Sequence, residues 1–264
     1  MALLDLPDTF VLVRRSEPGD LIEAVVDHWE VKLRQRLSEP APLPIGLATG
    51  RTMEPFYTAL VARLLGWTAE DRGQLCRGWL SFNLDEYVGL AASHPASFAA
   101  FMHQRLGGAL GLTMQQMRVP DGVALNPDQE ARAYQQDLLM AGGIGLQLLG
   151  LGTNGHVGFN EPPCNADAPC RCVQLCPVTR AQNAAAFEGD PAQVPAQAIT
   201  LGLREILAAQ EVHLIVTGAA KAEILQRVFA GGCDAALPAS WLLRHPQVRL
   251  WVDDAALGRV AALP

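Results

Sequence analysis

Short apolar runs that stop at glycine, threonine or acidic residues alternate along this chain with stretches whose apolar residues recur every three or four positions. That is the pattern of buried parallel strands, each followed by an amphipathic helix. Runs at 9–14 (TFVLVR), 45–48, 79–84, 146–151, 198–201, 212–216 and 248–252 read as strands. Ser16-Glu17-Pro18 opens a helix that carries Leu21, Ala24, Val25 and His28 on one spacing to about Leu37. Further helices hold Phe56, Leu60 and Leu64, then Phe98, Phe101 and Met102, then 126–140 behind an Asn126-Pro127 start. A helix through Ile206 joins two of the strands, and 238–243 reads as a short one that stops at His245-Pro246. The small, polar stretch 184–195 reads as a mobile lid or surface loop. This alternation predicts an α/β fold, a doubly wound, mostly parallel sheet with helices on both faces. His28 and His213 read as packed or flanking residues.

The stretch 148–162, LLGLGTNGHVGFNEP, is where an apolar run ends in chemistry. Gly152, Gly155 and Gly158 permit a turn that folds back, and Asn154, His156, Asn160 and Glu161 follow within eight residues of one another. Loops beyond the carboxyl ends of parallel strands hold the ligand in such sheets, so His156 with a nearby carboxylate suits proton shuttling. Asp85 and Glu86 sit at the end of another strand, where catalytic groups also sit. Thr49-Gly50-Arg51-Thr52 joins a strand to a helix start and reads as an anion site, as does Thr217-Gly218-Ala219-Ala220-Lys221. No Gly-Lys-Ser/Thr follows either turn, which disfavours a nucleoside triphosphate.

The chain has 264 residues, half of them hydrophobic, enough for one full core, and 1–264 is expected to be a single domain. A formal charge of −7 offers no basic field, so nucleic acid is not an expected partner. No apolar stretch reaches membrane-spanning length and the start, MALLDLPDTF, is not signal-like, so no membrane association and a cytoplasmic location are expected. Cys164, Cys170, Cys172 and Cys176 match no common zinc spacing and read as free thiols in a mobile loop. A homo-oligomer is compatible with all of this.

In order along the chain, GLATGRT (46–52), FNLDEYVGL (82–90), HPASF (94–98), LGLGTNGHVGFNEP (149–162), AITLGL (198–203), VTGAAKA (216–222) and LPASWLLRH (237–245) resemble the glucosamine-6-phosphate deaminase family over about the whole chain. The resemblance implies a Rossmann-like sheet and a cytosolic enzyme that converts an amino-sugar phosphate to a ketohexose 6-phosphate and ammonia, without cofactor or metal. It implies that Asp85 moves the proton between C2 and C1, that His156 opens the sugar ring, and that Glu161 is its carboxylate partner. Asn154 joins this catalytic set. Thr49, Gly50, Arg51, Thr52, Glu86, Gly155 and Lys221 are the implied substrate and phosphate ligands.

Two positions depart from the family pattern. Asn154 stands where the glucosamine enzymes usually carry aspartate, which, with ITLGL and PASWLL, resembles a galactosamine-6-phosphate branch. Near Ala186 the longer members carry a phosphate-binding arginine, for which Arg51 or Arg180 would substitute here. The short tail after Val252 implies no strong activation by an N-acetylated sugar phosphate. A 6-phosphogluconolactonase and a non-catalytic sugar-phosphate sensor are the rival readings. The lactonase pattern Asp-Glu-Arg reads Asp85-Glu86-Tyr87 here, and no DNA-binding head precedes the sheet.

Overall fold

A computed structural model describes Leu4 and residues 6–258. The expectations about the first residues and the tail rest partly on residues 1–3, 5 and 259–264, outside the described residues. In chain order the elements are β1 (Phe10–Arg15), α1 (Pro18–Arg36), β2 (Ile45–Leu47), α2 (Glu54–Leu65), α3 (Ala69–Arg77), β3 (Ser81–Asn83) and β4 (Asp85–Tyr87). Then α4 (Phe98–Met102) runs through a π-helical turn into α5 (Gly108–Leu110), followed by β5 (Met117–Arg118), α6 (Pro127–Met140), β6 (Leu146–Gly150) and β7 (Arg171–Gln174). The chain continues with α7 (Pro177–Asn183), β8 (Gln197–Thr200), α8 (Leu203–Leu207), β9 (Glu211–Val216), α9 (Ala222–Ala230) and β10 (Val248–Asp253).

Seven strands form a parallel sheet in the order β1-β10-β9-β6-β2-β3-β5. From β2 the chain works outward through β3 to β5, then returns to the other side of β2 for β6, β9 and β10. The strand order therefore reverses between β2 and β6, and a crevice opens beyond their carboxyl ends. The predicted doubly wound sheet is observed. β9, EVHLIV, is buried at every position, its polar Glu211 and His213 included.

Local chemistry sets the helix starts. Asn126 Oδ1 accepts the Gln129 amide at 3.0 Å with Pro127 as first helical residue, and Ser97 Oγ accepts the Ala100 amide at 3.0 Å. The Ser16-Glu17-Pro18 start is simpler than expected. Glu17 flanks α1 without a side-chain cap, so Pro18 alone marks the end. Two buried tyrosines pin strand ends near the crevice. Tyr57 donates to the Ala48 carbonyl at 2.7 Å beyond β2, and Tyr134 donates to the Asn83 carbonyl at 2.8 Å at the end of β3.

Three expectations change. Residues 198–201 do not extend the parallel sheet: β8 pairs antiparallel with β4 and β7 in a separate three-stranded sheet. Asp85-Glu86-Tyr87 does not merely end the preceding strand but is the strand β4 of that sheet, where the Leu201 N–H donates to the Leu84 carbonyl and carries the chain across. The cysteine-rich stretch is not a loop throughout. Cys172 lies in β7, and Cys164 and Cys170 are buried. The thiols are free, as expected. Tyr87, Phe159, Leu175, Phe187, Val194 and Ala198 form a second apolar cluster beneath this small sheet, so 184–195 packs its Phe187 and Val194 inward. β5, β7 and α3 had no counterpart in the sequence reading.

His213 sits fully buried in β9. Its Nδ1 accepts the indole N–H of Trp29 at 3.0 Å and of Trp251 at 3.2 Å, so the ring proton lies on Nε2 and is donated to Glu211 at 2.9 Å. Lys32 Nζ lies 2.5 Å from the other Glu211 oxygen, Oε2, and His28 and Arg249 stand 3.5 Å from Oε1, the oxygen that His213 meets. His28 is thus a flank of a polar network, as its spacing suggested.

Candidate active site

The crevice at the strand reversal holds a cavity of about 360 Å³ lined by Thr49–Met53, Asp85, His156, Gln182, Asn183 and Lys221, among others. A larger cavity of about 460 Å³ opens at the amino ends of β6, β9 and β10, but its carboxylate Glu211 is already committed to Lys32 and His213. The reactive groups converge only at the first.

Asp85 is 6% exposed, and its carboxylate accepts no hydrogen bond among the described residues. Burial, with a smaller contribution from the Glu86 charge, pushes its pKa up to about 8. A carboxylate this poorly solvated is a strong base when ionised. Glu86, expected on the substrate, does not line the cavity. Its oxygens accept the backbone N–H groups of Tyr87, Phe98 and Ala99 at 2.8–3.0 Å, capping α4 from within the core. Alternation along β4 sends the two neighbouring carboxylates to opposite faces.

His156 lies across Gly152, where any β-carbon would stand 2.3 Å from the ring, so the close packing requires glycine there. Its ring is half-buried, and burial lowers its pKa to about 4, a shift partly opposed by Glu161 and reinforced by Lys221. Asn154 Oδ1 meets both the His156 amide, at 3.3 Å, and Nδ1, at 2.5 Å. The acceptor oxygen places the ring proton on Nδ1 and leaves Nε2 unprotonated. Asn154 thus accepts from the ring. Glu161 does not line the cavity; Cys176 holds it behind the histidine, with the amide on Oε2 at 2.8 Å and the thiol on Oε1 at 3.1 Å.

An aspartate at position 154 would place a charge against the imidazole. Asn154→Asp is therefore expected to raise the His156 pKa from about 4 by one to three units, read by NMR titration of the ring. An unchanged midpoint would mean that residue 154 does not control the ring.

Thr49, Gly50, Arg51, Thr52 and Lys221 all line the cavity. Lys221 is half-buried, and burial followed by the nearby Arg51 charge lowers its pKa. Two cations that disfavour each other make a site for an anion, and free amides of the 49–52 turn face the same space. Arg180 does not join them. Its guanidinium donates to the carbonyls of Val194 and Ala192, both at 2.9 Å, tying α7 to the 184–195 segment instead. Gly155, expected on the substrate, is not among the residues lining the cavity; it has a positive φ of 85° and its carbonyl accepts the Ala239 amide. Gln182 and Asn183 were not singled out in the sequence. They reach the cavity only because α7 folds across it, and Gln182 donates to Thr153 Oγ1.

His28, Glu211 and His213 are the one group of His, Cys, Asp or Glu side chains close enough together for a metal among the described residues. Both ring nitrogens of His213 are engaged and Lys32 already neutralises Glu211, so the group has no open coordination position.

A family model described as glucosamine-6-phosphate isomerases/6-phosphogluconolactonase matches residues 16–251. The chain is 40% identical over 224 residues to a glucosamine-6-phosphate deaminase of Shouchella clausii, covering 85% of this chain and 88% of that protein. It is 41% identical over 243 residues to one of Rhodopirellula baltica, covering 89% and 94%. Among solved structures it is similar to a monomeric glucosamine-6-phosphate deaminase, with a TM-score of 0.84 and 29% identity over 94% of this chain and 99% of that one. A 6-phosphogluconolactonase from Trypanosoma brucei shares the fold, with a TM-score of 0.71 and 20% identity over 95% and 98%.

Proposed function

The chain belongs to the glucosamine-6-phosphate isomerase/6-phosphogluconolactonase family, and from that premise we propose that it is an amino-sugar-phosphate deaminase that isomerises its substrate and releases ammonia. The observation that carries this reading is the largely buried Asp85 carboxylate facing the same cavity as His156 and a two-cation anion grip. An aldose-to-ketose shift needs a carboxylate base over C1 and C2 and a separate group at the ring oxygen.

In this reading the 6-phosphate sits between Arg51 and Lys221 on the amides of the Thr49–Thr52 turn. Nε2 of His156 takes the O1 proton and passes it to the ring oxygen, opening the ring. Ionised Asp85 removes the C2 proton while O1 takes a proton from the amine to give an enolamine, and Asp85 then returns its proton to C1, so C2 becomes an imine. Water adds at C2 and ammonia departs, leaving a ketohexose 6-phosphate. Asn154 keeps the imidazole in the tautomer that can accept, and Glu161 supports its charge when it does.

The relatives' names favour glucosamine 6-phosphate, while Asn154 brings the galactosamine epimer into contention. We further read 1–264 as one catalytic unit and place it in the cytoplasm, where its charged substrate would be made. No helix among the described residues is long and apolar enough to cross a membrane. The lactonase reading meets Tyr87 where its pattern has arginine, and Tyr87 is buried against Phe98, Phe159 and Phe187.

The test is ammonia release from glucosamine 6-phosphate and galactosamine 6-phosphate in parallel, beside hydrolysis of 6-phosphogluconolactone. Release from an amino sugar is expected, with the faster epimer setting the branch. Lactone hydrolysis with no ammonia would move the chain to the other half of its family, and phosphate-dependent binding without turnover would leave a sensor.

A further inference from the structure

Glu161 supplies the charge that raises the His156 pKa, yet no hydrogen bond joins the two side chains. The carboxylate is held from the other side, and both of its oxygens are taken by a single residue. Cys176, immediately before α7, donates its amide to Oε2 at 2.8 Å and its thiol to Oε1 at 3.1 Å. The same sulfur lies 3.5 Å from Oγ1 of Thr179, whose side chain is completely buried. A thiol has one proton, and a carboxylate is the stronger acceptor. The Thr179 hydroxyl must then donate to the sulfur rather than accept from it. Hydrogen bonds thus run in one direction, from Thr179 through Cys176 to Glu161, and end beside the histidine.

The rest of α7 fixes this arrangement against the cavity. Asn183 Nδ2 donates to the Thr179 carbonyl at 2.9 Å, and Gln182, a cavity residue, donates to Thr153 Oγ1. One short helix therefore grips the 150–161 loop at two places, Thr153 at its carboxyl end and Glu161 at its amino end.

Building on the reading of His156 as the ring-opening group, we propose that Cys176 is a positioning residue for this reaction. Its thiol, oriented by Thr179, holds the Glu161 carboxylate at the distance from which it acts on the imidazole. Two substitutions separate this from a packing role. Cys176→Ala keeps the backbone bond to Oε2 and removes only the thiol, whereas Cys176→Ser restores a donor.

The experiment titrates the His156 ring by NMR and measures kcat and KM in the wild type and both variants. In Cys176→Ala the His156 midpoint is expected to fall by about half a unit and kcat by about three- to tenfold, with KM unchanged. Cys176→Ser should return both toward wild type. A wild-type midpoint in the alanine variant overturns the proposal even if kcat falls, because a purely structural loss would not move a titration selectively. Should Cys176→Ala fail to fold, Thr179→Val reads the same midpoint with the thiol in place, and no shift there overturns it equally. The titration needs no substrate, so a failure of the deaminase assignment is distinguishable from a failure of this one.

Discussion

Asp85→Asn is expected to lower kcat for ammonia release by about 10²–10⁴-fold while leaving KM within a few-fold of wild type, because it removes the proton carrier and keeps the shape. The burial that makes Asp85 a base also sets the pH dependence. Its folded pKa is raised to about 8 by burial and by Glu86, so at neutral pH the free protein holds it largely protonated. Activity needs the ionised form, and kcat/KM should rise about tenfold per unit of pH until it levels near pH 8. Stability runs the opposite way. A carboxyl whose folded pKa exceeds its unfolded value favours folding when protonated, and that contribution disappears as pH climbs through 8. Asp85→Asn should therefore melt higher than the wild type at pH 9 and nearly alike at pH 4. A variant that lost activity without gaining alkaline stability would show that Asp85 is not the buried, uncompensated charge described above.

Burial also explains what could be read in the sequence. Parallel strands buried on both faces leave continuous apolar runs, so β2, β6, β9 and β10 were legible, and so was the crevice that their order creates. The 148–162 stretch and the Thr-Gly turn were legible because glycines and chemistry sit together within a few residues. The small antiparallel sheet was not. Strands of three and four residues carry too few positions for a period to emerge, and 198–201 looks like any buried strand until its partner is known. Glu86 was misplaced for a similar reason. Two adjacent carboxylates look equivalent in sequence, and only the β4 backbone decides that one faces the cavity while the other takes three amides. Cys176 carried no signal, since its role depends on a contact with Glu161, fifteen residues away.

The largest stability effect is expected far from the cavity. Glu211→Gln should cost about 3–5 kcal/mol, because it removes the one anion of a buried network and leaves Lys32 beside two histidines without a counter-charge. His213 and Lys32, with His28 nearby, together hold the Glu211 carboxyl far below the ordinary range and outweigh burial, the largest single effect, which raises it. Burial lowers the pKa of His213 to about 4, against the Glu211 bond that raises it. Both shifts lie below the unfolded values, so the unfolded chain binds more protons in acid. Stability from His213 is lost as pH falls from about 6.5 toward 4, and that from Glu211 begins to be lost below about 4.5. Melting followed by circular dichroism from pH 8 to pH 4 should show a decline in the wild type that steepens below pH 5. Glu211→Gln should start lower, and the gap between the two proteins should narrow toward pH 4. A gap independent of pH would assign the loss to packing around Trp29 and Trp251 rather than to the charge. In this protein the two ends of one sheet would then use burial in opposite senses: at the carboxyl ends it raises the pKa of Asp85 and makes it reactive, and at the amino ends it sets Glu211 between His213 and Lys32, which keep it ionised.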